Sequence, residues 1–216
     1  TYIERGGTRI EIPVGYLKPA YVKVSIDERQ IGLIRVGAAA RTEGEWQNQE
    51  TEYQVISKPD FESIIGKGTF VKGKATLIVI QETTVKKDGS ISVGMTAKSN
   101  NDFTIVEVGI PFAVTEPERW DKSTVSIWDK DQKISEIILP ATDTVNEKGT
   151  LIKIKHPKAG EVSIMSQNQT RLYFIDTRAK SWILGYSLLV DEDKVPLLAK
   201  EEKELFNIDI RIKPLN

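Results

Sequence analysis

The sequence contains no cysteine and a single histidine among its 216 residues. Without cysteine the chain has no disulfides, thiolate metal sites, iron–sulfur clusters or cysteine nucleophiles. One histidine excludes zinc centres that require two or three histidine ligands. Stability must therefore come from packing, and any chemistry must rest on other residue types.

Net charge and long apolar runs are also scarce. Lysine and arginine total 30 against 31 aspartate and glutamate residues, a net charge of -1. This balance gives no broad attraction to nucleic acid, so we predict no nucleic-acid partner. No apolar run approaches the roughly 20 residues of a membrane helix, so we predict no membrane span. The first residues, Thr1 to Glu4, have neither a methionine nor a signal-peptide pattern, and we expect a processed or trimmed end.

The composition is that of a folded protein. Hydrophobic residues make up 39% and charged residues 28% of the chain, which supplies a core without the charge excess of disorder. The length falls in the range of roughly 200 to 250 residues found for large all-β domains. We predict one domain over residues 1–216, with a crossover or a boundary between halves around residues 115–133, where charged and turn residues concentrate.

Period-two alternation is the strongest local pattern. Between residues 74 and 98, two alternating segments flank the turn Lys86-Lys87-Asp88-Gly89, which predicts a hairpin. A third segment, ending near Phe112, predicts a three-stranded meander. Further strands are predicted around Val24, Ile152, Leu172 and Ile208.

Helical periodicity is weak outside residues 196–205, where a short helix or a charged loop fits equally well. The chain is therefore predicted to be all-β, a large antiparallel β-sandwich with little helix. Alternation also predicts the core, since one side of each strand is apolar. The predicted core residues are Val93, Met95, Val108, Ile110, Phe112, Leu172, Phe174, Ile208 and Ile210.

Trp46 is the first candidate for ligand binding. An indole face can stack on the apolar face of a sugar ring, and polar neighbours can bind its hydroxyl groups. Trp46 lies in a polar, glycine-containing segment with no periodicity to bury it. The alternative is a loop tryptophan folded onto the edge of the sandwich. The predicted ligand-binding residues are Arg41, Glu43, Glu45, Trp46, Gln47, Asn48 and Trp120.

The other tryptophans have packing alternatives. Trp120 follows a charged loop and could contact a ligand or pack in the core. Trp128 and Trp182 are interpreted first as core residues, because each adjoins an apolar strand pattern.

No catalytic or metal site is predicted. His156 sits between a strand and a turn, which favours a role at the strand end. The pairs Asp129/Asp131 and Asp191/Asp193 could offer oxygen ligands to calcium, although neither has the spacing of a complete calcium loop. No phosphate-binding, dinucleotide-binding or GxSxG motif is present.

Residues 74–81, 88–93 and 106–112 form a strand, a hairpin containing Asp-Gly, and a strand ending in proline. This order resembles the β-supersandwich of galactose-mutarotase-like domains and of accessory sandwiches in bacterial carbohydrate-active enzymes. Epimerases of this fold use histidines with a catalytic glutamate, whereas this chain has only His156. The resemblance therefore implies a non-catalytic or remodelled member that is associated with glycans.

The functional prediction is a non-catalytic carbohydrate-binding or accessory domain of a glycan-processing protein. Its partner would be a polysaccharide or oligosaccharide, and its location extracellular or periplasmic. One alternative is a polysaccharide lyase or glycoside hydrolase that uses Arg, Tyr or carboxylates, for which His156, Arg171 and Tyr173 are the candidates. Another alternative is a structural or adhesion module of a bacterial surface.

Overall fold

The computed structural model describes residues 2–11, 20–26, 29–36, 41–42, 47–107, 112–114, 117–141, 147–158, 160–176, 186–191 and 195–214. These residues form nineteen strands and one short 3-10 helix. The elements are β1 Tyr2–Arg5, β2 Thr8–Glu11, β3 Ala20–Ile26, β4 Arg29–Val36, β5 Arg41–Thr42, β6 Gln47–Ser57, β7 Phe61–Lys72, β8 Ala75–Lys86, β9 Ile91–Ser99, β10 Phe103–Glu107, β11 Phe112–Val114, η1 Pro117–Trp120, β12 Thr124–Asp129, β13 Gln132–Ile138, β14 Leu151–His156, β15 Gly160–Ser166, β16 Arg171–Asp176, β17 Tyr186–Asp191, β18 Val195–Leu197 and β19 Glu202–Pro214.

The strands form three sheets, and every pairing among the described strands is antiparallel. A nine-stranded sheet has the order β13-β12-β14-β15-β19-β9-β8-β7-β6, and a seven-stranded sheet has the order β1-β2-β3-β4-β11-β17-β16. A small sheet has the order β18-β10-β5. The predicted all-β sandwich is confirmed. Within the described residues, no helix has the length and apolar content needed to cross a membrane.

One continuous core lies between the sheets. It joins Ile3 and Ile10 of the seven-stranded sheet to the apolar side of the nine-stranded sheet, and Ile105, Val195 and Leu197 add the small sheet. Six predicted core residues are 1% exposed or less, which confirms them: Val93, Met95, Leu172, Phe174, Ile208 and Ile210. Val108 and Ile110, and the side chain of Phe112, lie outside the described residues.

The predicted hairpin at residues 74–98 is confirmed. β8 and β9 pair from Leu77 opposite Ser99 to Val85 opposite Ile91. In β9 the residues alternate regularly between buried and half-exposed. Burial of every second residue fixes this register, because a slip by one residue would turn the apolar side toward water.

The predicted meander is wrong. β10 follows β9 in the chain, but it pairs with β5 and β18 in the small sheet. β9 instead pairs with β19 from the end of the chain, from Glu202 opposite Lys98 to Ile210 opposite Ile91. The long apolar strand β19 offers β9 a partner that local sequence does not reveal.

Residues 196–205 form no helix, and the predicted charged loop is limited to the exposed turn at residues 198–201. They contain the end of β18, a turn with Lys200 at a φ of 68°, and the start of β19. Leu205 is buried, and strand pairing overrides the weak helical preference of the charged residues around it.

The chain passes from the seven-stranded sheet at β11 to the nine-stranded sheet at β12, with η1 between them. Residues 115–133 thus include η1, the strand β12 and the turn that follows it. The extent of the domain over residues 1–216 stays a prediction.

Two hairpin tips from different sheets meet through glycine. The turn between β1 and β2 holds Gly6, and the turn between β8 and β9 holds Gly89, each with positive φ. A methyl group on Gly89 would lie 2.5 Å from the Gly6 carbonyl oxygen. Thr8 Oγ1 also donates a hydrogen bond to the Gly89 carbonyl at 2.7 Å. This contact ties the two sheets together at one end of the sandwich.

Replacement of Gly89 by alanine should therefore destabilise the protein by about 2 kcal/mol or more, from the left-handed backbone and from the collision with Gly6. Gly73 is the matched control, because it also has positive φ but has no atom within 4 Å of an added methyl group. Gly73→Ala should cost only about 1 kcal/mol. Urea unfolding measures both variants, and equal losses would show that the contact between the tips contributes nothing.

Asp88 stabilises the same turn through its charge. Its Oδ1 accepts hydrogen bonds from Ser90 Oγ at 2.6 Å and from the Ser90 N–H at 3.0 Å. These bonds, the side-chain bond first, lower the pKa of Asp88 from its usual 3.8, and Arg211 and Lys86 lower it further.

A lowered folded-state pKa stabilises the fold above the unfolded pKa, and this stability is lost as the pH falls through the folded value. Between about pH 5 and pH 2, Asp88→Asn should therefore lose less stability than the parent protein. Asp60→Asn is the control, because the Asp60 carboxylate has no bonding partner among the described residues. Chemical unfolding at several pH values measures the difference, and identical acid slopes for all three proteins would contradict the assignment.

Candidate functional site

Most of the sequence-predicted binding segment lies outside the described side chains. Of the predicted residues, Glu43, Glu45 and Trp46 are outside the described residues, and Arg41, Gln47 and Asn48 are described only in their backbone. The backbone on either side of the segment is described. Thr42 of β5 pairs with Ile105 in the small sheet, and Gln47 of the edge strand β6 pairs with Val71 of β7. The segment thus connects the small sheet to one edge of the nine-stranded sheet, and its role in binding stays a prediction.

Trp120 lies in η1 and is 7% exposed, as part of the core. Its ring meets the His156 ring edge-on, with 6.1 Å between the centroids. This is the packing alternative that the sequence left open, and contact with a ligand stays a prediction. His156 ends β14, as predicted, and its Nδ1 accepts a hydrogen bond from the Lys158 N–H at 3.1 Å. Its ring therefore supports the hairpin turn.

The residues of the enzymatic alternative do not meet. Arg171 and Tyr173 flank Leu172, which pairs with Gly149 just before β14 begins. His156 lies at the opposite end of β14, about 23 Å along the strand at 3.3 Å per residue. Arg171 instead approaches Asp129, with 3.7 Å between Nη2 and Oδ2.

On the side of the nine-stranded sheet that faces away from the core, one row of side chains runs across all nine strands, and it is exposed or half-exposed except at Ser63, which is buried. Successive register partners place one residue from each of its nine strands in a line across the sheet. We call this line the cross-sheet row. From β13 to β6 it consists of Lys133, Trp128, Leu151, Met165, Asp209, Ser92, Thr84, Ser63 and Ile56.

The first part of the cross-sheet row is apolar. Trp128 and Leu151 are half-buried, and Met165 is 39% exposed. The Trp128 Nε1–H is buried and has no hydrogen-bond partner among the described residues, so the nitrogen edge of the indole is shielded from water. The Lys153 ammonium lies over the ring, 5.1 Å from its centroid. The three residues form a continuous apolar strip across three adjacent strands.

Trp128 is therefore not a core residue, and that interpretation of the sequence is wrong. Val125 and Ile127 face the core, and a bulge falls between Ile127 and Trp128. Because successive side chains of a strand point to opposite sides, the apolar Val125 and Ile127 already indicated that Trp128 faces away from the core. Trp182 lies outside the described residues.

The second part of the cross-sheet row is polar and organised around Asp209. Its Oδ1 accepts hydrogen bonds from Lys86 Nζ at 3.3 Å and from Ser92 Oγ at 2.9 Å. Its Oδ2 accepts a hydrogen bond from Gln167 Nε2 at 3.0 Å. Further along the row, the Ser63 and Thr84 hydroxyl oxygens lie 2.6 Å apart. A carboxylate held by three donors keeps one orientation, as a polar anchor for a ligand must.

A second row lies beside the first on the same side of the sheet. Its register runs through Glu136, Ser126, Lys153, Ser163 and Arg211. Glu136 accepts hydrogen bonds from Lys133 Nζ at 2.8 Å and Ser126 Oγ at 3.1 Å, and these bonds lower its pKa.

Metal binding finds no support in the described side chains, where no group of three or more histidine, aspartate or glutamate residues could hold an ion. Asp129 and Asp131 lie at the turn between β12 and β13, and Asp129 approaches Arg171. Asp193 is outside the described residues, and calcium binding stays a prediction.

The hydrogen bonds to Asp209 lead to a stability prediction. Asp209→Ala should cost about 1 to 3 kcal/mol, because three donors lose a shared and largely buried acceptor. Glu161→Ala removes a carboxylate from the same side of the sheet that has no bonding partner among the described residues, and it should change stability by about 0.5 kcal/mol or less. Equal denaturant midpoints for the two variants would show that the Asp209 cluster is not organised as described.

No protein-family model and no curated protein sequence matches the chain. Solved structures do match it along its whole length. The galactose 1-epimerase of Lactobacillus acidophilus NCFM has a TM-score of 0.68 at 9% identity, over 100% of this chain and 94% of its own. A GH36 α-galactosidase from Geobacillus stearothermophilus has a TM-score of 0.64 at 8% identity, over 99% of this chain and 40% of its own.

An α-N-acetylgalactosaminidase from Bifidobacterium bifidum has a TM-score of 0.56 at 5% identity, over 99% of this chain and 36% of its own. Identities this low establish the fold alone. The chain has the galactose-mutarotase-like β-supersandwich fold, and the resemblance predicted from its residues is confirmed at that level.

Proposed function

We propose that this chain is a non-catalytic carbohydrate-binding or accessory domain of a glycan-processing protein, and that it binds its saccharide on the cross-sheet row. The observation that carries the proposal is the alignment of Trp128, Leu151 and Met165 with the anchored carboxylate of Asp209 in one line on the solvent side of the sheet. The partner would be a polysaccharide or oligosaccharide.

A sugar ring presents two kinds of surface, an apolar face and a polar rim. One face presents C–H groups, which pack on indole and aliphatic surface, whereas the rim presents hydroxyl groups that need hydrogen-bond partners. Strands lie about 4.8 Å apart, so the row from Trp128 to Ser92 spans about 19 Å. A linear saccharide lying across the strands could place ring faces on the apolar strip and hydroxyl groups at Asp209 and Ser92.

The fold supports the same proposal. The structural neighbours are, by their names, an epimerase acting on galactose and two glycosidases. In the two glycosidases this fold is a minority of a longer chain, which fits an accessory role. His156 supports a non-catalytic role, because it is the only histidine of the chain and its Nδ1 accepts a bond from the backbone of a turn. An extracellular or periplasmic location would accompany such a role.

Binding should depend on Trp128. Trp128→Ala should weaken binding of a soluble polysaccharide by about 1 to 3 kcal/mol, the usual loss for an aromatic anchor. Leu198→Ala is the matched control, because Leu198 is 60% exposed and lies outside the row. Calorimetric titration measures affinity, and the melting temperature reports whether each variant is folded.

Trp46→Ala tests the sequence-predicted segment separately, since binding by that segment would give a loss of the same size in this variant with a nearly unchanged melting temperature. Loss of binding in Trp46→Ala with full binding in Trp128→Ala would move the site from the row to the segment before β6. A reducing-sugar or unsaturated-uronide assay on the parent protein tests the enzymatic alternative, and turnover would overturn the non-catalytic assignment.

A further inference from the structure

We infer that the saccharide bound at the cross-sheet row carries an acidic group, a carboxylate or a sulfate, which is held between Lys153 and Arg211. This inference rests on the proposed function and narrows it to a class of ligand. It comes from the second row beside Trp128, where the register places Lys153 and Arg211 on either side of Ser163.

The geometry suits a single anion. Lys153, Ser163 and Arg211 lie on three adjacent strands, so about 10 Å separates the backbones of the two cations. Both side chains are long enough to converge above the Ser163 hydroxyl. An anion there would meet an ammonium, a hydroxyl donor and the two-pronged donor set of a guanidinium.

The two cations have no acidic partner in the described part of the chain. Neither Lys153 nor Arg211 forms an ion pair or hydrogen bond there, although Arg211 lies near enough to Asp88 to lower the pKa of that carboxyl. The neighbouring acids are engaged elsewhere: Glu136 is bonded to Lys133, and Asp209 to Lys86. The Lys153 ammonium and the Arg211 guanidinium can therefore bind an anionic group of a ligand.

Glu161 is the remaining acid on this part of the sheet, and cations flank it as well. Its register partners in the next row are Lys155 and Lys213. Over the three neighbouring rows Lys155–Glu161–Lys213, Lys153–Ser163–Arg211 and Leu151–Met165–Asp209, four cations thus face Glu161 and the already bonded Asp209, while Glu202 and Glu204 lie at the other end of β19. The local excess is positive although the chain as a whole carries a net charge of -1.

The position of Lys153 favours an acidic over a neutral sugar. Its ammonium lies over the Trp128 ring, so a ring that stacks on the indole must displace it. A neutral sugar offers the displaced ammonium only hydroxyl groups in return. An acidic sugar replaces the weak cation–π contact with a stronger charge-assisted hydrogen bond.

The test uses the intact chain and three galactose-based probes, namely polygalacturonate, a sulfated galactan and an uncharged galactan. The parent protein should bind at least one charged probe about tenfold or more tightly than the uncharged one, the effect of one charge-assisted hydrogen bond. Binding should weaken as salt is raised. Preference between polygalacturonate and the sulfated galactan identifies the acidic group as a carboxylate or a sulfate.

Lys153→Gln and Arg211→Gln should each weaken binding of the charged probe about tenfold, and neither should weaken binding of the uncharged galactan to that extent, because the uncharged probe has no anion for them to hold. Lys98→Gln is the control, because it removes the same charge from the same side of the sheet. Lys98 lies six residues along β9 from Ser92, about 20 Å away, and has no bonding partner in the described part of the chain.

An equal loss in Lys98→Gln would overturn the inference, since it would reveal only diffuse attraction between charges. Tight binding of the uncharged galactan that is lost in Trp128→Ala but kept in Lys153→Gln would also overturn it, while leaving the proposed function intact. Absence of binding to all three probes would overturn both the inference and the assignment of the row as the binding surface.

Discussion

The register of the nine-stranded sheet is the constraint on which the rest of the structure depends. Side chains at every second position, many of them Ile and Val, pack into a single core, so alignments that turn the other side of a strand toward the core are excluded. A slip by one residue in any strand would expose a ladder of these side chains, at roughly 1.5 to 3 kcal/mol each. The alignment of the residues on the solvent side is a consequence of this packing.

Local sequence was enough to predict the elements whose partners are close in the chain. The β8–β9 hairpin was predicted correctly, because alternation and the Asp88-Gly89 turn indicate the same structure. Pairings between distant segments were not predictable in this way. β9 pairs with β19, which lies more than a hundred residues away, and only the shape of the whole core selects that partner.

The candidate site was less predictable than the fold for the same reason. Trp128, Met165 and Asp209 belong to strands that are adjacent only after folding, and none of them is conspicuous within its own segment. Trp46 was conspicuous because its neighbours are polar. Sequence reasoning detects an aromatic residue whose neighbours in the chain are polar. It misses an aromatic residue whose binding-site neighbours lie on other strands.

The bulge between Ile127 and Trp128 has a further consequence at the rim of the sheet. At this bulge Ile134 is an extra residue in β13, the edge strand of the nine-stranded sheet. Next to it, Lys133 Nζ and Glu136 Oε2 form an ion pair at 2.8 Å. A bulged strand carrying a charged pair is a poor template for another chain seeking backbone hydrogen bonds. Although Ile134 and Ile138 are exposed there, the irregular rim discourages edge-to-edge association of one molecule with the next.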